Sequence, residues 1–136
     1  MKTNFFHVKP PPNGFSLVEL SLVMATILSL AVFIGFGFNA TRRWQQGKNA
    51  SLALQAAYTA QRSYLADHPA ADIATVAADA IRAYLPQGWN PMPAITGLQG
   101  DVLAINYAVM PPVLANGGSV YDPSGKSGDG LWDVGE

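Results

Sequence analysis

Asn13-Gly14-Phe15-Ser16-Leu17-Val18-Glu19-Leu20 opens the stretch that decides how this chain is organised. From Leu20 to Thr41 follow 22 consecutive uncharged residues, mostly Leu, Val, Ile, Ala, Phe and Met. That exceeds the roughly 20 residues a helix needs to cross a bilayer core of about 30 Å, and a helix is the one single segment that satisfies its own backbone there. Glu19 is the anomaly. A charge at mid-membrane costs roughly 2.5–3.5 kcal/mol, less near an interface, so this carboxylate calls for a partner or a shallow position. Ser16-Leu17-Val18-Glu19 offers one partner locally: it has the capping-box pattern, in which Ser and the Glu three residues on satisfy the orphan amides of a helix start. A carboxylate in the first turn also suits the helix macrodipole.

Gly14-Phe15-Ser16-Leu17-Val18-Glu19-Leu20, preceded by a short basic leader and followed by an uninterrupted apolar run, resembles the type IV pilin and type II secretion pseudopilin family. Its signature is Gly-Phe-[Ser/Thr]-Leu-[Val/Ile]-Glu-Leu, matched over seven positions. The resemblance covers about a third of the chain, residues 1 to roughly 45. It implies cleavage between Gly14 and Phe15 by a prepilin peptidase, N-methylation of Phe15, and pairing of Glu19 with the Phe15 amine of a neighbouring subunit during assembly. The partners it implies are other pilin or pseudopilin subunits, the peptidase, an inner-membrane assembly platform, and membrane lipid before assembly. It places the leader in the cytoplasm, the chain as a single pass in the inner membrane, and the assembled filament in the periplasm or at the cell surface.

Physical chemistry is consistent with each step. Gly14 gives a protease an unhindered, flexible backbone. Cutting would create a cation at a helix N-terminus, where the dipole disfavours it, and Glu19 can supply the missing negative charge. Two opposite charges left unpaired in apolar surroundings would each be costly, so docking out of register is penalised.

The chain has 136 residues, Lys+Arg 8 against Asp+Glu 9, a formal charge of −1 and no cysteine. Length favours one domain, and the near-neutral balance gives no sign of a nucleic-acid partner. Without cysteine neither a disulfide framework nor a thiolate metal site is possible; major pilins commonly carry a C-terminal disulfide, so the resemblance leans toward a pseudopilin or minor subunit.

Four segments follow: a leader at 1–14, a transmembrane and assembly helix at 15–41, an amphipathic extension of that helix at 42–67, and a head at 68–136. Pro10-Pro11-Pro12 opposes helix in the leader. The positive-inside rule sets Lys2 and Lys9 against Arg42, Arg43 and Lys48, close to a tie. Gly35 and Gly37 mark either a local weak point in the helix or a place for close helix packing. Arg42, Arg43 and Trp44 form an interfacial boundary. Beyond them Ala50, Ala53, Leu54, Ala57, Tyr58, Gln61, Tyr64 and Leu65 recur at three and four, opposite Ser51, Gln55, Thr59 and Arg62. His68-Pro69 stops the pattern, giving about 53 residues and about 80 Å of helix, the lollipop handle of the resembled family.

Asp72 is placed to cap a second helix with apolar positions from Ile73 to Leu85, ended by Pro86 and Gly88. Leu103, Ile105, Tyr107 and Val109 alternate as a half-buried strand closed by Pro111-Pro112. Asn116-Gly117-Gly118 supplies a turn, with further short strands at Ser119–Tyr121 and Leu131–Val134. The fold class read from this is α+β: a long N-terminal transmembrane-plus-amphipathic helix carrying a small C-terminal head of a short helix and antiparallel β-sheet.

Chemistry-bearing patterns are sparse. His7 and His68 are the two histidines, and no Gly-rich phosphate loop, HExxH or paired-Cys pattern occurs, so the expectation is a non-enzyme without a cofactor. One loop, Asp122-Pro-Ser-Gly-Lys-Ser-Gly-Asp129-Gly-Leu-Trp-Asp133, has oxygen ligands on a Gly-rich backbone as calcium requires, and major pseudopilins use a calcium-binding loop near the C-terminus. Asp122, Asp129 and Asp133 are its candidate ligands, against which stand the central Lys126 and the lack of EF-hand spacing. The alternative function is a membrane-anchored binding or sensor protein that never polymerises.

Overall fold

The computed structural model describes residues 14–135, the side chain of Phe36 aside, so the leader through Asn13 lies outside the described residues. Helix α1 spans Leu17–Asp67 and stops where expected, at the residue pair before Pro69. A 3-10 turn at Ile73–Thr75 and the short helix α2 at Ala78–Arg82 follow. Four strands complete the order: β1 Ile95–Thr96, β2 Val102–Asn106, β3 Val113–Asn116 and β4 Ser119–Val120. They form one antiparallel meander in sequence order. The chain divides into two units, one through Phe38 and the other from Asn39 onward.

In the second unit, one face of α1 is built from small residues. Ala50, Ala53 and Leu54 meet Ile95 of β1, Leu103 of β2, Leu114 of β3 and Trp132 of the tail. Further along, Ala57 and Ala60 meet Ile81 of α2 and Tyr107 at the exit of β2. Of the stripe expected from periodicity, Ala50, Ala53, Leu54, Ala57 and Gln61 are buried and Tyr58, Tyr64 and Leu65 half-buried; Ala56 and Ala60 join the buried face, and so does Ser51, which was assigned to the wet face. Ser51 fits there because it is as small as the alanines beside it. Gln61 ties helix to sheet, its Nε2 donating to the carbonyls of Tyr107 at 2.9 Å and Val109 at 2.8 Å. Its donor is used, which offsets part of the cost of burial, while its Oε1 and the Ser51 hydroxyl are buried with no hydrogen-bond partner among the described residues.

Several expected elements differ. The single second helix is broken at Val76 and Ala77, whose ψ angles of 132° and 135° are extended. Asp72 does cap, accepting from the Ala74 N–H at 3.0 Å, but Ile73, Thr75 and Val76 are β-branched and lose side-chain freedom in a helix. Strand β2 ends at Asn106, whose Oδ1 takes the Ala108 N–H, so Val109 turns outward instead of continuing the alternation. Strands β1 and β3 had no expectation attached. No strand forms at Leu131–Val134, where Trp132 has φ of +67°, a left-handed conformation incompatible with a strand. The Asn116 turn does form, with Gly117 at φ +58° and Gly118 at φ +92° joining β3 to β4, the double positive φ that a tight hairpin requires.

Trp132 seats the tail on α1. Its backbone N–H donates to the Gly47 carbonyl at 3.1 Å, and its ring packs edge-on to Tyr121 at 5.3 Å. A Cβ at Gly47 would sit 2.7 Å from Trp132 Nε1 and 3.1 Å from Cδ1. Gly47→Ala therefore sets about 1 kcal/mol of helix propensity against an overpacking cost of about 1–3 kcal/mol. Because the indole is buried and anchored at its backbone, the cost prevails. A lowered melting temperature of the full chain in detergent, with shifted tryptophan emission, is the expected result.

Candidate functional site

The site begins where α1 begins. Gly14, Phe15 and Ser16 precede the helix in irregular, exposed backbone, and among the described residues nothing lies within 4 Å of a Cβ built on Gly14. The Gly14–Phe15 peptide is open to solution. Glu19 Oε2 accepts the Ser16 N–H at 2.8 Å, and Ser16 Oγ accepts the Val18 N–H at 3.1 Å. Ser16 also starts the helical ladder, its carbonyl taking the Leu20 N–H at 3.0 Å. The reciprocal cap expected from the tetrapeptide is formed, with the hydroxyl reaching the second helical amide. Glu19 therefore stands one residue from the Phe15 nitrogen, held by the adjacent amide.

Among the described residues from Leu17 to Phe38, thirteen large apolar side chains are exposed. At roughly 1.5–3 kcal/mol for each such side chain removed from water, covering them is worth on the order of 20 kcal/mol or more. That exceeds the few kcal/mol asked by one carboxylate near an interface. The helix is long and apolar enough to cross a membrane, near the N-terminus of the chain. Its hydroxyls add a feature that hydropathy does not reveal. Ser21 donates to the Val18 carbonyl at 2.8 Å, Thr26 to Val23 at 2.8 Å and Ser29 to Ala25 at 2.9 Å, so each polar group in Leu20–Phe38 with a hydroxyl is satisfied inside its own helix. At Gly35 and Gly37 the helix runs on unbroken, and among the described residues nothing lies within 4 Å of a Cβ at either.

The tail loop is organised by its carboxylates acting on backbone. Asp133 accepts three amides: Gly130 and Gly135, each at 2.9 Å to Oδ1, and Gly128 to Oδ2. Asp122 Oδ1 accepts the Ser124 N–H at 3.0 Å and its hydroxyl at 2.7 Å, while Asp129 Oδ1 accepts the Leu131 N–H at 2.8 Å. Among the described residues no group of three His, Cys, Asp or Glu is placed to hold a metal ion, which leaves the calcium expectation at Asp122, Asp129 and Asp133 without support from the geometry. Asp122, Asp129 and Asp133 are engaged separately, and Asp133 is the residue that shapes the loop. Its pattern of glycines two, three and five residues away was the available signal.

Elsewhere in the head, a shallow cleft between α1 and the loop before β1 is lined by Gln46, Asn49, Ala53, Trp89 and Thr96, with no titratable side chain. A second is lined by Arg82, Leu85, Met92, Leu103, Ile105 and Tyr107. Arg82 lies 5.6 Å over the Tyr107 ring, and its hydrogen bond to Asp79 at 2.7 Å raises its pKa. Burial pushes the Tyr107 phenol up, offset in part by that guanidinium. The Tyr84 phenol is also raised, because it donates to Asp67 at 3.0 Å. His68 stacks on Tyr64 at 4.4 Å with Nδ1 3.1 Å from the Tyr64 carbonyl. The Tyr84–Asp67 bond ties the segment that follows α2 to the last residue of α1. No family model, curated protein or solved structure matches this chain.

Proposed function

We propose that this chain is a non-catalytic structural subunit of a type IV pilus or a secretion pseudopilus. It would be cut between Gly14 and Phe15 by a prepilin peptidase, methylated at the Phe15 amine, and assembled with like subunits through α1 from an inner-membrane platform. The observation that carries this reading is the placement of Glu19 beside an exposed Gly14–Phe15 peptide at the head of a bare apolar helix. Once the leader is removed, the group next to the Ser16 amide becomes an ammonium, and the carboxylate gains a full counter-charge in place of a neutral N–H. Inside a bundle of apolar helices, an unpaired ammonium and an unpaired carboxylate each carry a heavy desolvation cost. Packing that brings them together is selected over packing that does not, which fixes axial register. Before assembly the apolar run resides in lipid; afterwards it is covered by other copies or by related subunits.

A second reading is favoured by one observation. Glu19 is already satisfied by its own Ser16 N–H, as it would be in a membrane-anchored binding protein that never polymerises. The two readings part at the mature N-terminus. In cells with an active prepilin peptidase, intact-mass measurement is expected to find a chain beginning at methylated Phe15, with the leader retained in Gly14→Ala. Glu19→Ala is expected to be processed and membrane-held yet to give at least a tenfold loss of sheared filament, the order that about 1.4 kcal/mol of lost pairing would produce. A leader that stays attached in the unaltered chain, with no filament formed, would establish the anchored reading instead; filaments at normal yield without the carboxylate would overturn the role given to Glu19 in setting register.

A further inference from the structure

We infer that Arg42, Arg43 and Trp44 form a docking surface for the phosphate headgroups of anionic phospholipids; this rests on the reading of Leu20–Thr41 as membrane-spanning. Between Glu19 and Asp67 the sequence has no carboxylate at all, yet it carries Arg42, Arg43, Lys48 and Arg62. All four lie on α1. Arg42 and Arg43 are exposed, and among the described residues the one ion pair is Arg82–Asp79. Lys48 is half-buried, its Nζ 3.4 Å from where a Cβ on Gly130 would stand, so it faces the tail loop. The two arginines are left without an anionic neighbour on their own element.

Three consecutive helical residues are spread over roughly 200° of the circumference. Arg42, Arg43 and Trp44 therefore look outward in different directions around the axis. A flat protein surface would meet one of them; a layer of headgroups surrounding the helix meets all three. A guanidinium matches phosphate with two parallel donors, and Trp44, 56% exposed, offers an apolar ring with a polar edge suited to the level where acyl chain gives way to headgroup. Each arginine near an anionic bilayer surface contributes about fivefold in association at low salt.

The test uses the full chain reconstituted into phosphatidylcholine vesicles containing a minority of phosphatidylglycerol. Spin-labelled lipids report association with the chain. Labelled phosphatidylglycerol is expected to be preferred over labelled phosphatidylcholine on the order of fivefold or more, falling toward equality in Arg42→Gln/Arg43→Gln and at high salt. Equal association in the unaltered chain, or a preference the double variant retains, overturns the inference. So does displacement by inorganic phosphate beyond that of chloride at the same ionic strength, which would indicate a free-anion site. Loss of filament with lipid preference unchanged would point to a protein carboxylate as the partner and overturns it too. Alkaline carbonate extraction separates the two failures: a chain washed from the membrane defeats the spanning reading and this inference together, while one that stays without lipid preference defeats this inference alone.

Discussion

Leu114→Ala is expected to remove about 2–5 kcal/mol from the stability of the head, toward the upper end of that range. Leu114 is fully buried on β3, in the same cluster as Ala50, Ala53, Leu54, Ile95, Leu103 and Trp132. Truncation costs the transfer free energy of the lost methyls plus a term for the hole left behind, and the second term depends on whether neighbours can move in. Here the helix opposite offers alanines, which have no rotamer to turn into the space. Urea unfolding of the full chain in detergent, followed by tryptophan emission, should show a lower midpoint with an unchanged slope. A loss below about 1 kcal/mol would mean that the sheet closes onto the helix more freely than this packing implies.

Asp133→Ala should come next in size, at about 2–4 kcal/mol, since hydrogen bonds to a charged group are worth roughly 1.5–3 kcal/mol each and three that share one acceptor do not add. The amides of Gly128, Gly130 and Gly135 would lose a common acceptor, and Trp132, beside it in the chain, would lose its seat against Gly47. Asp133→Asn, which keeps one acceptor oxygen, should fall between. A chelator is expected to leave the melting temperature of the unaltered chain where it was. A drop on chelation would show that these oxygens serve a cation, and that the loop is not held by its own amides alone.

Much of the architecture was legible because its signals are local or periodic. Ser16 and Glu19 are three apart and find each other without help from the rest of the chain. The stripe from Ala50 to Leu65 is a helix-period pattern, and Pro69 ends it for a steric reason. What escaped depends on contacts distant in sequence. Ser51 is buried because a sheet arrives from the C-terminal half, which no property of serine announces. Strand β3 was hidden by Pro111-Pro112, read as a stop although proline can stand directly before a strand, where no ladder donor is needed. Leu131–Val134 is apolar enough to be read as a short strand, but Asp133 draws three amides around itself and Trp132 is bent out of extended geometry. The same distinction holds at the candidate sites. Glu19 was found from spacing, whereas the part Asp133 plays as an acceptor for three backbone amides lies in the conformation of the glycines around it.

The inward-turned hydroxyls of Ser21, Thr26 and Ser29 have an effect on choice of neighbour. With their protons already committed to carbonyls one turn back, they present no spare donor to a helix lying alongside. In the assembly proposed above, a companion along that length would be told from an impostor by contour and by what it can donate to those oxygens, with no proton offered in return.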